Sequence, residues 1–401
     1  MVQVHKAEEI IQAEVRDFGT ESVPFEQALG RVLAEELKAD RDMPPYNRVA
    51  MDGIAFRYEA LEQGIKTFKI KATQAAGDRP VEIESAEECI EIMTGAALPA
   101  SADTVVRYED LEIQDGKATV LTDEVSKGQN IHAQGKDKKQ DEAVALANQV
   151  VTPALIGVAA AVGASQLQVK MLPRVVVIST GDELVKIEET PLPYQIRRSN
   201  SYTIKAALET YGVQADLLHI PDDIATMKRQ LNNCLQQYDV LILSGGISMG
   251  KFDYVPQVLE ELEVIKLFHK VKQRPGKPFW FGKHAQGALA FALPGNPVST
   301  FMCFHRYFLP WLEASLGAGP KRKAYAVLTK DLTFNPPLQY FLQVNLSQNE
   351  QGQMLATPQE GNGSGDFANL VEADAFLELP AEQTNFKQGE VYQVWPFKQL
   401  V

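Results

Sequence analysis

Apolar positions first recur at helical spacing. Ile10, Ile11, Val15 and Phe18 share one face of residues 4–18, and Phe25, Leu29, Val32, Leu33 and Leu37 repeat the pattern over 24–37. Both stretches are predicted to be amphipathic helices. Pro44-Pro45 stops any helix, and residues 46–56 read as a loop entering a strand, with Asp52-Gly53 as a turn. From Thr67 to about Lys138 the pattern changes to short apolar runs broken by glycine, proline and acidic residues, which predicts a small β-rich domain. Residues 150–169 read as an Ala-rich helix followed by a short strand.

Beyond Pro173 the pattern alternates. Val175–Ile178 is a fully apolar run, residues 201–211 a capped helix closed by Gly212, and residues 213–220 a strand. Residues 222–238 form an amphipathic helix carrying Ile224, Met227, Leu231 and Leu235. Val240–Leu243 is a second strand apolar on both faces, emptying into Ser244-Gly245-Gly246. Asp253 is placed to cap the next helix, 254–262, with Pro256 in its first turn. Strands alternating with helices of this length predict βαβ units and a parallel, doubly wound sheet. Two further glycine corners follow, Arg274-Pro-Gly-Lys-Pro278 and, after apolar residues 288–293, Pro294-Gly-Asn-Pro-Val-Ser299. A helix over 298–316 ends in Gly317-Ala-Gly-Pro320, a linker, and residues 324–328, 340–346 and 391–395 read as strands of a C-terminal β domain. The fold class is therefore α/β multidomain: a helical N-terminal domain (1–40 plus 139–171), a small β-rich domain (41–138), a central doubly wound domain (172–318) and a C-terminal β domain (319–401). No fixed-period repeat interrupts this scheme.

Charge narrows the function. A formal net charge of −13 with pI near 5.1 argues against a general nucleic-acid binder, so any anion must be held in a locally basic pocket. Cys89, Cys234 and Cys303 have neither disulfide-framework nor metal-ligand spacing, which suits a reduced cytoplasm. Residues 1–9 lack a signal-peptide apolar core, and residues 152–164 are too short to span a bilayer. A soluble, cytoplasmic protein is expected.

Ligands of doubly wound sheets bind beyond the carboxyl ends of the strands, where the glycine loops should meet. That crevice collects Asp182, Glu183 and Asp253 as carboxylates, Arg274 and Lys277 as cations, and Ser244, Ser248 and Ser299 as neutral donors. Carboxylates facing cations across a glycine floor suit a phosphorylated ligand with Mg²⁺, because the hard cation shares oxygen ligands with substrate phosphates. Gly246-Ile-Ser-Met-Gly250 also matches the nucleophile elbow of α/β-hydrolases, but an elbow starts its helix at the serine, whereas the helix here begins after Asp253. His269, His284 and His305 are poorly placed to serve as its base, and His305 reads as a packed helix residue.

Together the motifs resemble the molybdopterin molybdenumtransferases, the MoeA-type family similar to the gephyrin E domain. The resemblance runs through Met51-Asp52-Gly53, Thr94-Gly-Ala, Gly135-Lys-Asp137, Ser179-Thr-Gly-Asp-Glu-Leu184, Ser199-Asn200, Ser244–Gly250 with Asp253, Arg274–Pro278 and Leu293–Ser299. It implies a homodimer with a shared site and a central molybdopterin-binding domain. The implied reaction takes adenylylated molybdopterin and molybdate, cleaves the phosphoanhydride with a divalent metal, and releases molybdenum cofactor and AMP. By position, Glu183, Asp253, Lys277, Asp52 and Asp137 would be catalytic, with Glu183 and Asp253 on the metal. Ser248, Asp253, Arg274, Lys277, Pro278 and Ser299 would hold molybdate or phosphate. Gly181, Asp182, Asn200, Ser244, Gly245, Gly246, Pro294, Asn296 and Ser364 would complete the substrate site, and Asp52, Thr94 and Asp137 would come from the partner subunit. Molybdopterin adenylyltransferase and molybdoenzyme maturation factors are the implied partners, with no nucleic acid or membrane. Three departures stand out: Lys251 where an acid is common, Gln343 where an arginine is expected, and Arg48 where a small residue is usual. Alternative readings are a non-catalytic, gephyrin-like dimeric scaffold, or a sibling molybdopterin adenylyltransferase or nucleotide pyrophosphatase.

Overall fold

The computed structural model describes residues 1–247, 253–319, 322–359, 361 and 363–398. The chain divides into two compact units. One comprises Met1–Ala34, Asn148–Thr152 and Leu167–Val401; the other comprises Glu35–Ala147 and Pro153–Gln166.

The larger unit is built on a six-stranded sheet. In chain order its strands are β1 (Val175–Thr180), β2 (Ala215–Ile220), β3 (Val240–Ser244), β4 (Val264–His269), β5 (Trp280–His284) and β6 (Leu289–Leu293), arranged β2-β1-β3-β6-β5-β4. The first four in that order are parallel, and β5 and β4 add an antiparallel edge. Every residue of β1, β3 and β6 is buried. The period-2 alternation explains why: Val175, Val177, Val240 and Ile242 point to one face with α1 (Asn200–Glu209) and α4 (Pro297–Cys303), whereas Val176, Ile178, Leu241 and Leu243 point to the other with α2 (Ile224–Gln237) and α3 (Val255–Glu261). Local signals start the helices. Asp223 accepts the Thr226 amide hydrogen bond at 2.8 Å as the N-cap of α2, and Pro256 and Pro297 stand in first turns where no amide donor is needed.

The C-terminal strands do not form an open sheet. Strands 324–328, 339–348, 354–358, 375–379 and 391–396 pair in a ring that closes between 339–348 and 375–379, a five-stranded barrel around Leu342, Val344, Leu377 and Val394. Closure leaves no unpaired edges within the ring. A two-residue strand, Gln273–Arg274, pairs in parallel with the start of the 339–348 strand.

A buried ion pair fastens the barrel to the central layers. Arg306 donates to Glu8 Oε2 (2.8 Å) and to Glu378 Oε2 (3.2 Å), Trp395 Nε1 donates to the same Glu378 oxygen (2.6 Å), and the guanidinium lies 4.2 Å over the Trp395 ring. Arg306 sits in a π-helical turn, Phe304–Phe308, between α4 and the helix Leu309–Ser315.

The smaller unit carries a six-stranded sheet in the order 104–107, 53–56, 88–92, 67–74, 117–120, 111–114, with Ala55, Ile90 and Ile92 on one face and Ile54, Phe56 and Cys89 on the other. Gly53 is required sterically, because a Cβ there would run into the Val106 carbonyl of the neighbouring strand.

Four expectations need correction. Residues 24–37 do not form a helix: only Phe25–Gln27 make a 3₁₀ turn, Gly30 adopts φ +79°, and Val32 and Leu33 are drawn into backbone bridges with Val150 and Val169. The first helix ends at Gln12, leaving Val15 exposed. The helix expected over 298–316 is interrupted by the π-helical turn. Asp253 is not the cap of α3; the N-cap is Tyr254, and its side chain makes no capping bond. Among the described residues no helix is long and apolar enough to cross a membrane.

Glu378→Ala would remove the acceptor shared by Arg306 Nε and Trp395 Nε1 while Glu8 still faces the guanidinium, so it should cost about 2 kcal/mol, read as a lower urea midpoint. An unchanged midpoint would show that Arg306 does not fasten the barrel.

Candidate active site

The carboxyl ends of β1, β3 and β6 lie side by side, and their loops make a floor of backbone. Gly245 has φ +100°, and a Cβ there would lie 2.9 Å from the Thr180 carbonyl oxygen; Gly246 has φ +67°, with Val255 Cγ2 equally close at 2.8 Å. Only glycine fits either position. Asn200, at the start of α1, ties the corner together: its Nδ2 donates to Ser244 Oγ and to the Gly295 carbonyl, both at 2.8 Å. Beneath the floor, Thr180 Oγ1 is buried and has no hydrogen-bond partner among the described residues.

Acidic residues gather at the ends of β1 and β2. The Asp222 amide donates to Asp182 Oδ1 at 3.1 Å. The Asp222 carboxyl is pushed above the ordinary aspartate range, first by burial and then by the negative charges of Asp182, Glu183 and Asp253. The charges of three other carboxylates therefore reach Asp222. Glu183 folds back over Gly181, which has φ +133° and no room for a side chain on that face. Asp222 had been legible only as the start of a helix; its position directly after a strand of the parallel sheet is the signal that could have marked it. Among the described residues no three His, Cys, Asp or Glu side chains approach closely enough to hold a metal ion by themselves.

Because β4 is antiparallel to β5 and β5 to β6, β4 runs parallel to β6 and its carboxyl end lies on the same edge. The basic loop leaves from that end. Gln273, fully buried, accepts from the Tyr307 hydroxyl and donates to the Gly276 carbonyl at 3.0 Å; Gly276 has φ +86°, and a Cβ would sit 2.5 Å from Cys303 Sγ. This support leaves Arg274 and Lys277 exposed, with the Arg274 guanidinium 5.8 Å above the Phe334 ring and Pro278 half-buried behind them.

On the last corner Pro294 and Ser299 are buried, and Asn296 Nδ2 donates to Ser364 Oγ at 2.8 Å. The Val298 amide donates to the Ser364 carbonyl at 3.1 Å, so a residue between two barrel strands is held at the start of α4. Gln343, on the barrel, has its side-chain carbonyl oxygen buried without a partner. Ser248 and Lys251 lie outside the described residues. For the hydrolase elbow, α3 starts only at Val255, and His305 packs with its Nδ1 2.9 Å from the Phe301 carbonyl.

In the smaller unit, Asp52 and Thr94 come together: Asp52 Oδ1 accepts from the Thr94 amide (2.7 Å) and hydroxyl (2.8 Å), which holds this carboxyl below its usual range. Asp137 pairs instead with His132 Nε2 at 2.8 Å, next to Gly135 at φ +63°. Arg48 is exposed, in a short strand paired with Ile131–His132.

Comparison with known proteins agrees with this architecture. Three family profiles tile the chain: "MoeA N-terminal region (domain I and II)" over residues 2–163, "Probable molybdopterin binding domain" over 176–314 and "MoeA C-terminal region (domain IV)" over 325–397. A molybdopterin molybdenumtransferase of Synechocystis is 39% identical over 98% of this chain and 99% of its own, and one of Haemophilus influenzae is 30% identical over 95% of each. The crystal structure of a molybdopterin biosynthesis MoeA protein of Pyrococcus horikoshii superposes with a TM-score of 0.85 at 29% identity, covering all of both chains. The chain therefore belongs to the MoeA family of molybdopterin molybdenumtransferases, transferases of molybdenum cofactor biosynthesis.

Proposed function

We propose that the protein inserts molybdate into adenylylated molybdopterin, cleaving the phosphoanhydride with Mg²⁺ and releasing molybdenum cofactor and AMP, as a cytoplasmic homodimer whose second copy lends Asp52, Thr94 and Asp137. The gathering of Asp182, Glu183 and Asp253 where their charges reach Asp222, at one end of a glycine floor, carries this reading. Like charges brought together at a sheet edge are costly unless a cation offsets them.

The donor set suits Mg²⁺, which takes one or two carboxylates and completes its shell with water and substrate phosphate. Glu183 and Asp253 are the proposed ligands, with Asp222 behind them. Bound there, the cation would neutralise charge developing on the anhydride oxygens. The chain's own groups do the rest. Gly245 and Gly246 let the backbone approach the pyrophosphate, and the buried Thr180 hydroxyl is available beneath it. Arg274 and Lys277 attract the tetrahedral oxyanion from the other side, and Ser248, Ser299 and Ser364 are its proposed neutral donors, Ser364 being held by Asn296. A water oxygen bonds to the molybdopterin-side phosphorus and gives up a proton as the anhydride P–O bond breaks, and the electron pair of that bond leaves on the AMP phosphate, which Arg274 and Lys277 stabilise.

Glu183→Gln and Asp253→Asn should each slow molybdate-dependent AMP release by about a hundredfold or more without lowering the melting temperature. Wild-type turnover by either variant would refute the assignment.

A pH dependence follows from Asp222. Its carboxyl holds a proton at higher pH than an ordinary aspartate and opposes cation binding while protonated, so on acidification Mg²⁺ affinity should begin to fall at a higher pH than an ordinary aspartate would set. Asp222→Asn should flatten that fall in a calorimetric series; an identical slope in both proteins would exclude Asp222 from the cation's surroundings.

At Gln343, where a buried carbonyl oxygen lacks a partner, Gln343→Arg should tighten molybdate binding by supplying the missing cation. Calorimetry showing equal affinity would dismiss this role.

A further inference from the structure

In the central sheet β3 and β4 are separated by β6 and β5, so their carboxyl ends stand about 14 Å apart. No imidazole spans that distance, yet His269, the last residue of β4, has its Nε2 3.2 Å from the carbonyl oxygen of Ile247. The loop after β3 therefore crosses the sheet edge to meet it. Ile247 is drawn across by its side chain, which is buried in one cluster with Val255 and Val258 of α3 and with Trp280, the strand partner of His269. Its neighbours in the chain are Gly246, part of the glycine floor, and Ser248, a proposed oxyanion donor.

On its other side His269 leads straight into the basic loop. Lys270, at φ +70°, donates its amide hydrogen to the Phe279 carbonyl at 2.8 Å, and the Val271 amide donates to the Lys277 carbonyl at 2.9 Å. The loop that carries Arg274 and Lys277 is thus closed at its neck directly after the imidazole. Phe268 packs its ring edge-on against Phe279, 5.1 Å between centroids, which keeps that neck against the strand. A carbonyl oxygen only accepts, so Nε2 carries the proton of the bond to Ile247. Burial holds the imidazole below its ordinary pKa against the opposing Ile247 bond, with Lys270 and Lys266 adding to the effect and Glu260 countering it. Near neutral pH the ring is therefore an uncharged donor between the two loops. Resting on the proposed oxyanion site, we propose that His269 is a positioning residue, which sets the separation of the glycine corner from Arg274 and Lys277 by donating its Nε2–H to the Ile247 carbonyl.

The test uses the full chain and two replacements. His269→Phe keeps a ring and removes the donor, whereas the side-chain amide of His269→Gln places an N–H where Nε2 stood. In molybdate-dependent AMP release, His269→Phe should raise the KM for molybdate about tenfold with kcat nearly unchanged, the scale of one lost hydrogen bond that positions bound substrate, and His269→Gln should restore it. Deuterium uptake without substrate, in peptides containing residues 245–247 and 270–277, should rise in His269→Phe and not in His269→Gln. If His269→Phe does not fold, His269→Met, of glutamine's length and without a donor, takes its place. Equal uptake in all variants, an unchanged KM, or a fall in kcat alone would each overturn the assignment. The two readings separate cleanly. Raised uptake in His269→Phe with no AMP release even by the wild type would sink the proposed reaction and keep the tie between the loops, whereas wild-type turnover with equal KM and uptake in His269→Phe would sink the tie alone.

Discussion

Strand register at the core of the larger unit sets what can happen at its edge. Ser179 pairs with Ser244, and Ser244 pairs with Leu293, so three adjacent strands reach their carboxyl ends at one level. Each of these strands is buried on both faces. A slip of one residue would exchange the two apolar sets and break both helical layers at once, which makes the register stiff. The glycine loops inherit that stiffness. They pack backbone against backbone, Gly245 on Thr180 and Gly295 on Gly245, and the floor they form is positioned by the core rather than by its own side chains.

The same logic extends to groups that arrive from farther along the chain. Ser364 and Gln343 belong to the barrel region, and the basic loop is pinned where Gln273–Arg274 pairs with a barrel strand. Arg306 anchors this arrangement by joining Glu8, Glu378 and the Trp395 face in one desolvated cluster. An ion pair of this kind contributes little net stability, but alternative placements of the barrel would leave a buried charge uncompensated. Its consequence is geometric specificity for the corner where Asn296 meets Ser364.

Much of this was legible in the residues. Apolar runs bounded by glycine corners marked β1, β3 and β6 because strands buried on both faces leave no ambiguity of period. The helices of the central layers were equally plain from their apolar faces, although Asp253 does not cap α3. Residues 24–37 misled because their apolar residues recur at helical spacing while serving backbone bridges with distant segments, which spacing alone cannot reveal. The antiparallel edge formed by β4 and β5 and the closure of the barrel depend on pairings remote in sequence, and no local pattern encodes them. Within the site, corners with glycine announced themselves. Asp222 did not, because a helix-start aspartate looks ordinary until the neighbouring strand tip brings Asp182 and Glu183 against it.

For the polyanionic substrates proposed above, a strongly acidic chain is at first paradoxical, and the arrangement of charge resolves it. The carboxylates lie at the β1 and β2 end of the glycine floor, whereas Arg274 and Lys277 leave from the far side of the sheet, after β4. Burial first, and then the neighbouring carboxylates, raise the Asp222 carboxyl. An anion alone would add to that repulsion at the acidic end, and a cation alone would leave the basic loop uncompensated. The proposed pairing of a cation with an oxyanion would satisfy both ends, through the separation of charge across the floor rather than the sign of the net charge.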